Sequence, residues 1–192
     1  MNDDEVLTVF RDTRALLEGH FELRSGLHSA RYFQCAQALR DPAIAARLCD
    51  ALAERARAEL GEDAAFDGVI APALGGIIVG YELARALRVP FIFAEKNSDG
   101  SLALRRFAIR AGERYLVAED VVTRGGRVGE TVRIVEENGA AAAAIAMLVD
   151  RSAGSVPFGR PAVSLLRMAP ETFEPNACPL CAQGLPLAHP GS

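Results

Sequence analysis

The apolar and polar positions of this chain change their period several times, and each change predicts a new element. Short, nearly continuous apolar runs predict four buried strands, at 66–72, 89–95, 114–120 and 140–150. Apolar residues at helical spacing predict helices at 5–18 and 42–60 and a helix that starts near Val128 and is closed by Asn138 and Gly139. Residues 73–87 predict a glycine loop that leads into a helix. Strands that alternate with helices in this order favour a mostly parallel central sheet flanked by helices, which is an α/β fold.

Four further segments lack a simple helical period. Residues 19–35, which read GHFELRSGLHSARYFQC, alternate like strands between glycine turns, and 161–168 predicts an edge strand. Residues 96–113 are polar at first and basic in the middle, so they predict a long mobile connection with a short β-ribbon. The tail from Pro170 onward is proline-rich and is predicted to be irregular. No repeat or linker divides the chain, so we expect one domain over residues 1–192.

Composition and charge narrow the function classes. Half of the 192 residues are apolar and 24% are charged, which is typical of a globular protein. A net charge of −4 argues against binding along a nucleic acid backbone, although a local basic loop can still hold a small anion. No apolar run reaches the length of about 20 residues that a membrane helix needs. The acidic N-terminus lacks the build of a signal peptide, so we expect a cytoplasmic protein with four reduced cysteines.

Candidate chemistry falls at the predicted carboxyl ends of three strands, where parallel sheets bind ligands. These ends are 71–76, 119–126 and 150–151. The second lies in the stretch YLVAEDVVTRGGRVGET, in which two acids, Glu119 and Asp120, precede a glycine loop and a helix start. Backbone N–H groups of such a loop, with a hydroxyl from Thr123, suit a phosphate. Carboxylates suit sugar hydroxyls or Mg²⁺, so the pattern indicates a ribose 5-phosphate site.

The alternative interpretation is an acidic strand end followed by an ordinary glycine turn. Two adjacent carboxylates at the end of a buried strand are costly unless they are paired or hydrogen-bonded, which favours a functional role. The loop has neither the Walker A order nor the spacing of a dinucleotide-binding fingerprint, because Gly125 and Gly126 are adjacent. The ligand is therefore expected to be something other than a nucleoside triphosphate or a dinucleotide.

The stretch closely resembles the 5-phosphoribosyl 1-diphosphate (PRPP) signature of the type I phosphoribosyltransferases, which has an apolar run, two acids, two apolar residues, Thr and then Gly. The resemblance implies the fold of that family, with Glu119 and Asp120 on the ribose hydroxyls and Mg²⁺ held mainly through PRPP. It further implies that the phosphate is surrounded by Val121, Val122, Thr123, Arg124, Gly125, Gly126 and Arg127. Arg124 departs from the pattern, since relatives carry a small residue or Thr there, and its side chain either points outward or reaches the phosphate.

Three other segments, in the same order along the chain, resemble the orotate-using members of that family. Residues 19–35 resemble their N-terminal hood, and VIAPALGGIIVGYELARAL resembles their diphosphate loop, which implies PRPP contacts from Ala73, Gly75 and Gly76. The segment MLVDRSAG resembles the strand end whose arginine, here Arg151, contacts the orotate carboxylate; an arginine suits that carboxylate because it binds it with two hydrogen bonds. The remaining orotate contacts are expected from Thr123, Arg24, Tyr32 and Phe33. The hood would comprise mainly residues 19–40 together with the tail 165–192.

The resemblance also implies a homodimer in which a mobile loop closes over the neighbouring subunit's site. Lys96, Arg105 and Arg106 are the candidate catalytic residues of that loop. The loop departs from the better-known family pattern because it lacks a histidine and most of the lysines, and Arg24 and Gly75 stand where relatives carry lysine. A solvated charge pair at 105–106, plain core aromatics at 32–33 and a surface arginine at 151 are the structural alternatives.

The expected function is transfer of the phosphoribosyl group from PRPP to orotate, for pyrimidine synthesis. One rival is a phosphoribosyltransferase for another base. A rival of a different class is a non-catalytic regulator that senses PRPP, although the chain has no spare helix-turn-helix segment and no strong basic face.

One pair of cysteines is left over from this interpretation. Cys178 and Cys181 form a C-x-x-C motif in the tail, which supplies half of a tetrahedral zinc site. The other half would come from a second subunit, from Cys35 or Cys49, or from a histidine. The three histidines are too scattered along the sequence to predict a metal site by spacing. The structural alternative is a tail that merely packs on the body of the protein.

Overall fold

The structure is a computed structural model that describes residues 1–23, 25–61, 64–152 and 154–190. Its helices are α1 (Asp3–Asp12), α2 (Ala36–Leu39), α3 (Pro42–Leu60), α4 (Gly76–Leu87), α5 (Gly126–Glu137) and α6 (Pro179–Ala182). Its strands are β1 (Leu16–Glu22), β2 (His28–Phe33), β3 (Gly68–Pro72), β4 (Phe91–Lys96), β5 (Leu102–Ala103), β6 (Arg114–Val122), β7 (Ala141–Asp150), β8 (Ala162–Arg167) and β9 (Thr172–Phe173). None of the described helices has the length and apolar character that crossing a membrane requires.

The central sheet has six strands in the order β5-β4-β3-β6-β7-β8. All of its pairings are parallel except the short antiparallel pairing of β5 with β4. This confirms the prediction of a mostly parallel α/β sheet. Because β6 lies between β3 and β7, the loops that follow these three strands emerge side by side at one edge of the sheet.

Successive side chains of the buried strands point to opposite faces of the sheet and pack into two hydrophobic cores. On β6, Leu116 and Ala118 join the core that contains α1, α3 and α4. Tyr115 and Val117 point the other way and pack with residues of α5 and of the 104–109 segment. Helices therefore cover both faces, which explains why the strands of this sheet are nearly continuous apolar runs.

The N-terminal prediction was wrong in part, because the helix expected at 5–18 ends at Asp12. Asn2 and Glu5 form a capping box that starts α1, and Thr13 ends it. Arg14 then takes a left-handed backbone conformation, with φ 58°, which turns the chain into β1. Leu17, which was assigned to the helix, lies in that strand, where its neighbour Leu16 is buried.

The tail also departs from prediction, because part of it is regular. β9 pairs antiparallel with β2, and β2 pairs with β1, so the tail completes a second sheet of order β1-β2-β9. Farther along, Ala188 exchanges backbone hydrogen bonds with residues of β1: its N–H donates to His20 and its carbonyl accepts from Glu22. Proline spacing in the sequence marks irregular chain but carries no signal for these long-range pairings.

Candidate active site

The loops after β3 and β6 meet at the carboxyl edge of the sheet. A Cβ atom added to Gly75 would lie 3.0 Å from Asp120 Oδ1, and one added to Gly76 would lie 3.2 Å from Glu119 Oε1. Both distances are closer than ordinary side-chain contacts, so only glycine lets this loop approach the two acids. The peptide bond between Ala73 and Leu74, in the same loop, is cis. Two segments 40 or so residues apart in sequence thus form one site.

A cleft of about 440 Å³ opens beside the two acids. Its lining consists of Glu119, Val121, Val122, Thr123, Arg124, Gly125, Gly126, Arg127, Val128 and Glu130. β6 extends to Val122, two residues beyond its predicted end, so the acids lie within the strand and the loop proper begins at Thr123. Thr123 and Arg124 are exposed at the rim.

The start of α5 leaves backbone donors free beside the cleft. Gly125 precedes that helix in a left-handed conformation, with φ 71°, and no side chain caps the helix N-terminus. The backbone N–H groups of the first turn therefore keep their hydrogen-bonding capacity for a ligand. A Cβ atom on Gly125 would lie 2.7 Å from Val156 Cγ1, so the segment after β7 packs directly against this turn.

The two acids are held by their own backbone. Asp120 donates its backbone N–H to Glu119 Oε1 at 3.1 Å, and Val121 donates its backbone N–H to Asp120 Oδ1 at 2.8 Å. Glu119 is buried, and burial together with the neighbouring Asp120 charge raises its pKa to about 9. Burial also raises the pKa of Asp120. The pair therefore retains a proton at neutral pH when no ligand is bound, which allows it to donate as well as accept hydrogen bonds.

Arg151 approaches the same edge of the sheet from β7. Its backbone N–H donates to the carbonyl of Val122 at 2.8 Å, which places it beside the β6 loop. Its guanidinium carbon lies 6.0 Å from the centre of the Phe33 ring, and burial lowers the pKa of the side chain. Arg151 Nε is buried without a hydrogen-bond partner among the described residues. A buried guanidinium donor without a partner is costly and suits an anionic ligand.

Cys35 and Asp150 support this region, and sequence analysis did not identify either role. The Cys35 thiol is buried, and burial followed by the charge of Asp120 raises its pKa, with smaller effects from Arg151 and Glu119. Asp150 accepts hydrogen bonds from the backbone and hydroxyl of Ser152, at 2.8 and 2.6 Å, which fixes the turn that carries Arg151.

The basic connection at 96–113 pairs β5 with β4 and contacts α5, and its residues do not line the cleft. Arg127 donates to the carbonyl of Gly100 at 2.7 Å, and Glu130 Oε1 accepts from the backbone N–H of Leu102 at 2.6 Å. Arg105 donates to Asn97 at 2.6 Å, and Arg106 pairs with Glu95 at 3.2 Å. Lys96, at the end of β4, is exposed. The structure does not bring these three predicted catalytic residues to the acid pair.

Two of the remaining predicted residues, Tyr32 and Phe33, lie on the hood strand β2. Phe33 is buried and faces Arg151, whereas Tyr32 is half-buried, with its ring centre 5.9 Å from that of Phe21. Arg24 lies outside the described residues. Gly75 and Gly76 occupy the loop that faces the acids, and Ala73 lies in the same loop.

Comparison with known proteins identifies the family to which the chain belongs. Residues 36–172 match the family described as the phosphoribosyl transferase domain. The chain is 49% identical over 193 residues to the orotate phosphoribosyltransferase of Caldicellulosiruptor bescii, covering 100% of this chain and 98% of the relative. It is 48% identical over 189 residues to that of Carboxydothermus hydrogenoformans, covering 98% and 97%. The chain belongs to the orotate phosphoribosyltransferase family.

The fold of the orotate phosphoribosyltransferases is shared beyond close relatives. The orotate phosphoribosyltransferase of Aeropyrum pernix superposes with a TM-score of 0.73 at 25% identity, covering 84% of this chain and 93% of that chain. An adenine phosphoribosyltransferase from Thermoanaerobacter pseudethanolicus superposes with a TM-score of 0.62 at 21% identity, covering 72% and 88%. As a member of the family, the chain is a pentosyltransferase of pyrimidine biosynthesis.

The raised pKa of Glu119 predicts how the stability of the ligand-free protein depends on pH. The unfolded chain releases this proton near an ordinary glutamate pKa of about 4.3, whereas the folded chain keeps it until about pH 9. The folded state binds more protons in that window, so the free energy of unfolding should fall, by up to a few kcal/mol, as pH rises through it. Glu119→Gln cannot ionise and should remove most of this decline.

Urea unfolding between about pH 5 and about pH 9 measures the effect. Glu137→Gln, an exposed substitution on α5, is the matched control and should leave the wild-type slope unchanged. Parallel curves for wild type and Glu119→Gln would show that Glu119 does not hold the extra proton.

Proposed function

We propose that the cleft binds PRPP and orotate side by side and joins them into orotidine 5′-phosphate, releasing diphosphate. The observation that carries this proposal is the position of three features at one edge of the sheet. These are the pair of buried Glu119 and half-buried Asp120, the uncapped start of α5 at Gly126, and the buried Arg151 donor without a partner. Each feature matches a different part of the two substrates.

The phosphoribosyl part fits between the two glycine loops. Glu119 and Asp120 would hold the ribose hydroxyls, since their shared proton allows one carboxyl to donate while the other accepts. The 5-phosphate would bind to the backbone of 123–126, where nothing caps the helix. The diphosphate would lie against the Ala73–Gly76 loop, which has no side chain between it and the acids at Gly75 and Gly76.

Orotate would occupy the space between Arg151 and the hood. The Nε–H group of Arg151 and a neighbouring N–H of the guanidinium match the two oxygens of the orotate carboxylate. Phe33 holds the guanidinium from one side, and the exposed hydroxyl of Thr123 is available to the pyrimidine edge. Tyr32 and Arg24 would complete the orotate site from the hood.

The reaction breaks the bond between the ribose C1 atom and the diphosphate oxygen and forms a bond between C1 and an orotate nitrogen, whose proton passes to the departing diphosphate. The electron pair of the broken bond leaves with the diphosphate, so the site must position both substrates and accept negative charge at the leaving group. The carboxylate oxygens of Glu119 and Asp120 are hard donors that fit Mg²⁺, which would be held mainly through PRPP beside Asp120. Mg²⁺ supplies neutralisation of the diphosphate charge when it is bound.

The basic residues of the 96–113 connection do not line the cleft beside the acids. Lys96, Arg105 and Arg106 are exposed, so they are available to a leaving group on another subunit. Such a loop would exclude water when it closes, which protects the reacting ribose carbon from hydrolysis. The free state of all four cysteines fits a reducing compartment such as the cytoplasm.

A homodimer is supported by an exposed apolar patch on one face of α4 and its preceding loop. Leu74, Ile78 and Tyr81 are exposed by 84%, 42% and 62%. Ile78 and Tyr81, three residues apart on α4, share a face of that helix, and Leu74 lies in the loop just before it. Water-exposed apolar patches of this kind mark association surfaces. Leu74 belongs to the proposed diphosphate loop, so the interface would adjoin the active site of each subunit.

The transfer is tested by mixing the pure protein with PRPP, Mg²⁺ and orotate and following the loss of orotate absorbance. Adenine, hypoxanthine and uracil are assayed in parallel. Turnover of another base but not of orotate would make the chain a different phosphoribosyltransferase. PRPP binding without turnover of any base would favour a sensor and overturn the proposed activity.

Arg151→Ala should weaken orotate binding by roughly 10- to 100-fold, because a charged, two-point hydrogen bond is lost. PRPP binding should change by less than about threefold, since the Arg151 guanidinium lies over Phe33 of the hood. Arg151→Lys should restore little, because an ammonium group lacks the planar fork. Calorimetric titration of each ligand measures both effects, and Arg133→Ala, an exposed arginine on α5, is the control. Equal losses for the two ligands would argue against this placement of orotate.

Tyr81→Glu should convert a dimer into a monomer of 20.5 kDa, because it places a charge in the apolar patch on α4. Leu187→Glu makes a similar change at an exposed residue of the tail and should leave the dimer intact. Light scattering coupled to gel filtration gives the mass of each variant. A wild-type protein that is monomeric at micromolar concentration would contradict the proposed interface.

A further inference from the structure

Four side chains with metal-binding atoms gather where the tail meets the β1-β2 hairpin. His20 belongs to β1, His28 to β2, and Cys178 and Cys181 flank the start of α6. One ligand atom from each residue lies within 4.8 Å of the other three. This group is separate from the acid pair and from Arg151, and the transfer reaction does not use it.

The distances within this group match a tetrahedral metal site. Cys178 Sγ and Cys181 Sγ lie 3.6 and 3.7 Å from His20 Nε2, and Cys181 Sγ lies 3.4 Å from His28 Nδ1. Metal–sulfur bonds of about 2.3 Å and metal–nitrogen bonds of about 2.0 Å at tetrahedral angles separate sulfur from nitrogen by about 3.5 Å. The two histidine nitrogens are 2.9 Å apart, so a bound ion would spread them by a few tenths of an ångström.

A hydrogen bond outside the group prepares His20 as a ligand. Its Nδ1–H group donates to the backbone carbonyl of Leu185 at 2.9 Å. A carbonyl only accepts, so the proton of the neutral ring lies on Nδ1 and the lone pair on Nε2, which faces the other three residues. Metal-binding histidines are oriented in this way by a partner on the second ring nitrogen.

An irregularity in the backbone of β1 helps to orient the His20 side chain. The pairing of β1 with β2 shifts its register between Glu18 and Phe21, where His20 lies, and such a bulge redirects a side chain. His20, His28 and Cys178 are buried, while Cys181 is exposed. All four cysteines are free, so both thiols are available as ligands, and Cys181 provides the side from which an ion enters.

We infer that His20, His28, Cys178 and Cys181 form a structural zinc site that fastens the tail to the hood hairpin. Two thiolates and two imidazoles are a preferred ligand set of Zn²⁺, and Mg²⁺ or Ca²⁺ would require oxygen ligands instead. Four protein ligands leave no open position for substrate, so the site is structural rather than catalytic.

The zinc site would stabilise the hood from which orotate is recognised. Without a metal, the attachment of α6 to the hairpin depends on a few backbone hydrogen bonds and on the packing of a tail that is largely exposed. A metal bound by both segments closes a chain loop of about 150 residues between His28 and Cys178, which disfavours the unfolded tail. β2 continues from His28 to Phe33, so the hairpin that holds zinc also presents the ring next to Arg151.

Elemental analysis of the purified, untagged protein tests this inference. We expect about one zinc per chain, retained through gel filtration without free metal. His20→Ala and Cys181→Ser should lower the zinc content at least about tenfold, because a three-ligand site binds far more weakly. His189→Ala and Cys49→Ala remove the same residue types outside the group and should keep the full zinc content.

A measurement on the wild-type chain covers the case in which a variant fails to fold. Protein grown with Co²⁺ should show the intense visible absorption of a tetrahedral cobalt ion bound by thiolates, and added Zn²⁺ should abolish it. Metal removal should accelerate hydrogen exchange in the β1-β2 hairpin and in 171–190, and Zn²⁺ but not Mg²⁺ should restore it. Protein that contains no zinc and takes up neither ion, or zinc that persists in both ligand variants, would overturn the inference.

Discussion

Removing two adjacent carboxylates from water is unfavourable, and this constraint determines how the active-site region is arranged. Glu119 and Asp120 lie on β6, an interior strand of the central sheet, where Glu119 is buried and Asp120 is half-buried. They are tolerated because backbone N–H groups donate to them and because the pair keeps a proton. The loop opposite must then lack side chains, and Gly75 and Gly76 meet that requirement. The same geometry leaves space for a sugar whose hydroxyls replace the missing water.

Arg151, at the same edge of the sheet as the two acids, is a second group whose hydrogen bonds are incomplete. Burial weakens the preference of Arg151 for its charged form, and one of its donors has no partner among the described residues. Arg151 makes no ion pair with Glu119 or Asp120, so the hydrogen-bonding capacity of both sides is left for a ligand. Folded proteins rarely keep such groups apart unless a ligand completes their hydrogen bonds, which is why the site is best understood with both substrates in place.

Local signals were sufficient to predict the sheet, α3 and the acid-then-glycine loop. Apolar runs marked β3, β6 and β7, and Asp41 with Pro42 marked the start of α3, where Asp41 accepts hydrogen bonds from the first turn. The end of α1 was missed because a single left-handed residue, Arg14, interrupts a pattern that otherwise continues. The pairing of the tail with β2 and the meeting of His20 and His28 with the cysteines depend on contacts about 150 residues apart in sequence. Periodicity within a short window carries no information about such contacts.

The order of the strands has a consequence for how this architecture accommodates different acceptors. Everything proposed to bind the sugar phosphate is attached to β3, β6 or α5, whereas the hood residues near Arg151 belong to a separate three-stranded sheet. Substitutions in the hairpin and tail therefore leave the sheet that carries the acids intact. We therefore expect substitutions in the hood to alter one side of the proposed nucleobase site, while Arg151 and the proposed sugar contacts stay with the central sheet.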